Sequence, residues 1–444
     1  MESAPTQPPD QPRIKIGRLV AVLSDFVLGQ GAVQGISILI ALFLVRNLSI
    51  SEYAKYGLAA GFQFTTSVLM DLGYASTIIP LVGDRIADRA LVGRYVRAAK
   101  SHRDRVFWAL APVTSVLFLY MTHRQHWSWP IQIALLASIL VALYSSGPVA
   151  YFGAPLILYR RLRAYYAPQS ITSCCRLLLF SLLRTIGCLN AWIAAGLGAV
   201  NITLNGYFLK RKSLESIEWP EAADTRTRAE VHHYILPGTP ALVLGAFHGQ
   251  IALFLIGIFG STVGLAQVAA LTRLGQIFNL MMTFNVVIVE PYVARLSREH
   301  LPRTYFRLLA LALLGCILLS LLSFMAPGIF LWPLGKQYAS LRNLMGWVVM
   351  TACINYIAGL IWIMNRSRKW IFWRGSAAEV GLVAIVQVGF VAILGVQDTW
   401  HAVLFNFVTS FAYVAAHIYI AQHGFRRGIV DGALDRANPG VSVP

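Results

Sequence analysis

Runs of about twenty apolar residues recur from Leu19 to the C-terminal region, separated by short polar segments. At 1.5 Å per residue, each run is long enough as a helix to cross roughly 30 Å of hydrocarbon. Only 13% of the 444 residues are charged, against about 25% in an ordinary soluble domain. The pattern specifies an all-α polytopic membrane protein.

Twelve spans are expected, at roughly 19–45, 54–82, 106–122, 130–157, 167–184, 187–208, 233–258, 264–291, 305–331, 343–364, 375–395 and 401–422. The longest exceed the bilayer and should tilt, kink or project into water. With both termini inside, 29 of the 37 Lys and Arg fall on the inner side, six on the outer side, and two, Arg176 and Arg273, within spans. This asymmetry sets the orientation and explains the net charge of +18 as a topology signal, not a nucleic-acid footprint. Trp108, Trp370 and Trp373 fall at the inner border, and Trp127, Trp129, Trp332 and Trp400 at the outer one.

Residues 1–18 read as a disordered cytoplasmic tail, 19–208 as one six-helix bundle, 209–232 as a cytoplasmic linker, 233–422 as a second bundle and 423–444 as a cytoplasmic tail. A basic region, short apolar core and cleavage site do not occur in order at the N-terminus, so the first span is expected to direct insertion. In the segment Arg85–Arg105, Leu91, Val92, Tyr95, Val96 and Ala99 repeat at helical spacing between basic residues. That pattern fits an amphipathic helix on the anionic inner leaflet, or a solvated connector. Cys174, Cys175, Cys188, Cys316 and Cys353 form no CxxC pair and are expected as small packing residues.

A weak repeat supports the division. Gly57-Leu58-Ala59 opens span 2, and Gly264-Leu265-Ala266 opens span 8. Parallel six-span repeats belong to secondary transporters, whose site lies between the halves. In this register Arg273 falls opposite Thr66, so its charge is not repeated.

Ionisable groups in spans face a cavity or a partner. Arg273 lies about 13 Å inside the outer end of span 8. Gln276, Asn279 and Thr283 share its helix face. Arg176, Gln34, Gln63, Thr66 and Gln250 complete the candidate lumen. Arg273 either lines a substrate path or pairs with a carboxylate, and Arg176 sits either in the lumen or in a helix contact. Asp25 and Asp71 are candidate cation-coupling groups, although Asp71, like Glu379, also suits a structural ion pair near the inner face. Glu290 is similarly placed, and His248 reads as a packing residue or a proton relay. The chain carries no Walker, HExxH, G-x-S-x-G or zinc-spacing motif, which argues against an ATP-driven pump, and neither catalytic nor metal-ligating residues are expected.

The stretch "LVRNLSISEYAKYGLAAGFQFTTSVLMDLGYAS" (Leu44–Ser76) resembles the first hairpin of Wzx-type polysaccharide flippases, members of the multidrug/oligosaccharidyl-lipid/polysaccharide exporter superfamily. The matching elements are Arg46-Asn47-Leu48, Glu52-Tyr53 and Asp71-Leu72-Gly73, with "AKY" inserted between Tyr53 and Gly57. The segment Leu236–Gln276 looks like helices 7 and 8 of the same proteins.

The resemblance implies two six-helix bundles around a central cavity in a bacterial inner membrane. It also implies a polyprenyl-pyrophosphate oligosaccharide substrate, alternating access through a cationic lumen, and no enzyme activity or cofactor. The expected partners are that substrate, membrane lipids, a glycan polymerase and glycosyltransferases, with no nucleic acid. A cation-coupled drug exporter of the same superfamily is the alternative. A major-facilitator transporter is another, since "GDRIADRALVGR" (Gly83–Arg94) nearly matches that family's loop motif.

Overall fold

A computed structural model describes residues 16–437 except 84, 222–223, 237–238, 248, 295, 298, 369 and 371, and omits the side chains of 16–28, 276–277, 279–280, 287, 291 and 427–437. The described residues are overwhelmingly helical and contain no strand.

The first half comprises α1 (Ile16–Asn47), α2 (Ile50–Asp71), short α3 (Ile78–Val82), α4 (Arg89–Arg124), α5 (Trp129–Leu158), α6 (Leu162–Ile186) and α7 (Ala191–Leu214). Helix α8 (Thr225–Ile235) bridges to α9 (Thr239–Phe247), α10 (Ile251–Phe259), α11 (Thr262–Phe284) and short α12 (Glu290–Ala294). Then follow α13 (Leu301–Met325), short α14 (Pro327–Leu331), α15 (Met345–Ser367), α16 (Trp373–Leu394) and α17 (Thr399–Ala437).

Helix starts follow local chemistry. Ser49, Asp88, Asn190 and Ser261 each accept a backbone N–H of the first turn, capping α2, α4, α7 and α11.

Among the described residues, eight helices are long and apolar enough to span a membrane alone, and the bent pair α9–α10 makes nine. Helices α2, α6 and α11 supply the remaining three of twelve, and their polar residues set them apart from the others.

Several expected boundaries are corrected. The span expected at 54–82 stops at Asp71, because Leu72 (φ 40°) and Gly73 (φ 84°) take left-handed conformations that end α2. The span at 233–258 is broken between Phe247 and Ile251, where Gly249 has φ 76° and the two helices bend by 49°. The span at 264–291 passes from α11 through a π-turn, Asn285–Val289, into α12.

The Arg85–Arg105 segment is not a separate helix on the membrane surface. From Arg89 it is the start of α4, and Leu91, Val92, Tyr95, Val96 and Ala99 are buried against Tyr151, Phe152, Ile217 and Val231. Apolar spacing marks a face that leaves water, and here protein covers it. Around it, Tyr95 Oη donates to Glu230 at 2.8 Å, and the Arg97 guanidinium lies 5.2 Å from the Trp219 ring centre. The cysteines are also corrected: Cys174 and Cys175 on α6 and Cys188 in the α6–α7 connection are exposed, and only Cys353 is fully buried.

The two halves meet through α2. Gly57 and Gly61, one turn apart, bring its backbone close to α11 and α10. A Cβ at Gly57 would stand 2.4 Å from the Ala269 Cβ, and one at Gly61 would stand 2.6 Å from Leu253. Small residues at this spacing let membrane helices approach closely. A shared core of Leu44, Tyr53, Leu58, Ala266, Ala269 and Tyr338 continues the contact toward the end of the molecule marked by Arg46.

Side chains reaching across to backbone carbonyls then close that end. Arg46 Nε donates to Pro333 O at 3.0 Å, Arg46 Nη2 donates to Trp332 O, and the guanidinium lies 4.5 Å from the Trp332 ring centre. Gln337 Nε2 donates to the carbonyls of Val45 and Leu48. Gln125 Nε2 donates to Gly257 O and Gly260 O at 3.0 and 3.1 Å.

Candidate functional site: a cavity lined by two arginines

A cavity of about 840 Å³ lies among α1, α2, α5, α6 and α7, with Arg273 entering from α11. Its mouth is at the end away from Arg46, where Ser76, Ile79 and Ile157 line it and are exposed. A smaller space of about 210 Å³ adjoins its closed end, between α1, α2, α6 and α11, and includes Gln34. Ser37, Tyr56, Arg176 and Arg273 line both spaces.

Three polar helices build the charged end. Helix α2 brings Tyr53 and Tyr56 on one face, three residues apart. Helix α6 brings Arg176, and α11 brings Arg273. Arg273 Nε donates to Tyr53 Oη at 3.2 Å. Arg176 packs beside Phe180, 5.9 Å from guanidinium to ring centre, and its enclosed Nε has no hydrogen-bond partner. No described carboxylate pairs with either arginine. Two cations thus share a cavity of low dielectric, where each strengthens the attraction for an anion.

The only carboxylate on the cavity wall, among the described residues, is Asp71. It belongs to a separate cluster. Arg103, 4% exposed on α4, places Nη1 3.8 Å from Asp71 Oδ1, and its Nη2 donates to Ser146 Oγ at 2.5 Å and to Ser67 Oγ at 3.3 Å. Asp71 is therefore neutralised where it stands, while Arg176 and Arg273 are not.

The sequence-expected residues separate by position. Arg273, Arg176, Gln63 and Asp71 line the large cavity, and Gln34 lines the small one. Thr66 faces α4 and shares a hydrogen bond of 3.3 Å with Thr114 Oγ1, so it is a packing residue outside the lumen. Gln250 packs against Gly61 at the α9–α10 break, and Thr283 lies outside both cavities. The side chains of Asp25, Gln276, Asn279 and His248 lie outside the described residues.

Sequence reasoning missed Tyr53 and Tyr56 beside the arginines, Arg103 as partner of Asp71, and the amides Gln169, Asn201 and Asn205 on the wall. The last pair had a signal: "NITLN" (Asn201–Asn205) sets two amides one turn apart in a membrane helix.

The hairpin motif gains a structural account. Arg46 ties the halves together. Asn47 Oδ1 accepts from Arg184 Nε at 3.2 Å, and Glu52 Oε2 accepts the Ala191 N–H at 2.8 Å, anchoring the start of α7. Tyr53 meets Arg273.

The chain is similar to the lipid II flippase MurJ in an inward closed conformation (TM-score 0.65, 12% identity, 90% of this chain and 88% of that one). The likeness is one of fold, shared over most of both chains. An inward-facing multidrug resistance MATE family transporter of the MOP superfamily matches over 93% of this chain and 99% of its own (TM-score 0.59, 11% identity). The Vibrio cholerae MATE transporter VcmN matches over 92% and 97% (TM-score 0.54, 13% identity). No protein-family model matches the chain, and no curated protein matches it by sequence.

Proposed function

We propose that this chain moves a lipid-linked anionic headgroup across a bacterial inner membrane by alternating access. The substrate is a polyprenyl-pyrophosphate oligosaccharide destined for a surface polysaccharide. The observation that carries this reading is the pair Arg176 and Arg273, which line the cavity with no carboxylate partner among the described residues. Buried charges are normally paired. Arginine keeps its proton and donates several hydrogen bonds to phosphate oxygens. A pyrophosphate therefore supplies what the pair lacks, while the polyprenyl tail stays in the bilayer.

The basic segments orient the molecule with the Arg46 end outward, so the cavity mouth faces the cytoplasm. A flippase loading substrate from the inner leaflet needs that arrangement. The sealed Arg46 end keeps the opposite gate shut, and release requires those carbonyl contacts to break. A cationic drug would meet two arginines and a carboxylate already held by Arg103, which disfavours the drug-exporter alternative.

The test is a leaflet assay in proteoliposomes containing a fluorescent polyprenyl-pyrophosphate glycan. Arg273→Ala should slow movement by about a hundredfold at unchanged reconstitution and melting temperature, and Arg273→Lys should retain part of the rate, since one point charge replaces a fork of donors. Wild-type rates from the Arg273→Ala/Arg176→Ala double variant would remove the cationic lumen from the mechanism.

A further inference from the structure

The cavity has two chemistries along its length. Arg176 and Arg273 line its deep, closed end. Toward the mouth, α6 contributes Ser173 and Gln169, α7 contributes Asn201 and Asn205, and α2 adds Gln63. None of these five carries charge.

The stripes on α6 and α7 are regular. Gln169, Ser173 and Arg176 fall at intervals of four and three residues, hence on one helix face, and span about 10 Å. Gly198, Asn201 and Asn205 use the same intervals on the antiparallel α7. The two stripes are in register at both ends. A Cβ at Gly198 would stand 3.7 Å from Arg176 Nη1, and Thr172 Oγ1 donates to Asn205 Oδ1 at 2.8 Å.

Asn201 lies between these rungs. It lines the cavity, is only 9% exposed, and its Oδ1 accepts no hydrogen bond from the protein. Enclosed polar groups without partners are uncommon in folded proteins, and one in a cavity wall calls for a ligand donor. Amides and hydroxyls both donate and accept, which matches the hydroxyl groups of a sugar ring better than it matches phosphate or hydrocarbon. Tyr165 continues the α6 stripe toward the mouth and also lines the cavity.

We propose that the α6–α7 wall is a sugar subsite. It holds the first, uncharged sugar of the headgroup with a hydroxyl or acetamido N–H directed at Asn201, while Arg176 and Arg273 hold the phosphates. This rests on the transport reading above and adds a direction to it: phosphate deep, sugar toward the mouth. It makes Asn201, Gln169 and Ser173 specificity residues, distinct from the arginines.

The experiment measures binding to the full chain in lipid nanodiscs. The three probes are bare polyprenyl pyrophosphate, the same lipid bearing N-acetylglucosamine, and the same lipid bearing glucose. The wild-type protein should bind at least one glycosylated probe about tenfold more tightly than the bare lipid. Asn201→Leu should abolish that preference while leaving bare-lipid binding unchanged. Gln169→Met, an unbranched replacement on the lining face, should reduce the preference severalfold and stands in if Asn201→Leu fails to fold. Arg273→Ala should weaken all three probes together.

Equal wild-type binding of all three probes overturns the subsite and leaves the transport reading standing. So does a retained preference in folded Asn201→Leu, or an equal loss for bare and glycosylated probes, which would mark the wall as structural. A wild-type protein that binds none of the three overturns the transport reading, and the subsite with it.

Discussion

The two halves place their intramembrane charges differently. In the second half, the charged groups and several amides find partners. Arg366 grips Glu290 through two parallel hydrogen bonds of 3.0 and 2.5 Å, and His417 Nδ1 stands 4.0 Å from Glu379 Oε2. Asn365 accepts from Tyr305 Oη and donates to His417 O, both at 3.0 Å, while Asn285 Nδ2 donates to Tyr356 Oη at 3.1 Å. In the first half, beside the Asp71–Arg103 pair, polar groups also line a space. Among the described residues Arg176 has no ion pair there, and the second half lends it Arg273, which donates to a tyrosine hydroxyl. Polar density inside a span is thus shared by a structural network and a lumen. Whether the groups pair tells them apart.

The sharpest way to break this comparison is to replace one arginine from each half by leucine. Arg176→Leu removes an uncompensated charge, so the fold should keep or gain stability while headgroup movement falls about a hundredfold. Arg366→Leu leaves Glu290 unpaired and should lower stability by about 1–3 kcal/mol. That is less than the roughly 3–5 kcal/mol for a fully buried pair, because both side chains are partly exposed. Thermal melting in detergent and the leaflet assay read the two effects separately. Marked destabilisation by Arg176→Leu would mean that this arginine is structural and that the contrast is wrong.

A smaller effect is expected at the Arg46 seam. Arg46 donates to two carbonyls and stacks on Trp332, all at a partly exposed site. Arg46→Ala removes these contacts from the sealed Arg46 end, the outer gate of the proposed transport cycle, and leaves the cavity untouched. A loss of about 1 kcal/mol shifts the balance between gate states roughly fivefold toward open. Labelling of a cysteine placed at Ala59, on the cavity wall, by an impermeant thiol reagent from the Arg46 side should rise accordingly, measured against a background with the native cysteines removed. Unchanged labelling would show that Gln337 and Gln125 hold the gate without it.

Much of the fold was legible because hydrocarbon imposes length and apolarity on each span, and the twelve expected spans map onto the helices in order. The missed stops at Leu72 and Gly249 are backbone events, written in one or two residues that an apolar count does not weigh. The Arg89–Arg105 face was misassigned because burial against protein and burial against lipid require the same spacing. At the site, Arg176 and Arg273 were visible because charge in a span is rare. Their freedom from carboxylates was not, since Asp71, Glu290 and Glu379 all lie in or beside spans and only packing shows that Arg103, Arg366 and His417 face them. The neutral lining was harder still. Gln63 and Thr66, three residues apart on α2, were indistinguishable as candidates until α4 was seen to cover Thr66.

That last pair sets the finest test. Thr66 is 6% exposed, and its hydroxyl has Thr114 as its hydrogen-bond partner at 3.3 Å, a long and therefore weak bond. Thr66→Val keeps the branched shape and removes one partner, so it should lower stability by no more than about 1 kcal/mol and leave headgroup movement unchanged. Thr66→Val/Thr114→Val removes both hydroxyls and should recover most of that loss, because neither oxygen is then left unpaired. Gln63→Leu, on the wall of the cavity, should do the reverse: little change in melting temperature, and a severalfold slower movement of a glycosylated lipid as a polar contact is lost from the lumen. If Thr66→Val slowed movement as much as Gln63→Leu, the face of α2 that meets substrate would be wider than the cavity drawn by these side chains, and α2 would have to rotate during transport to present it.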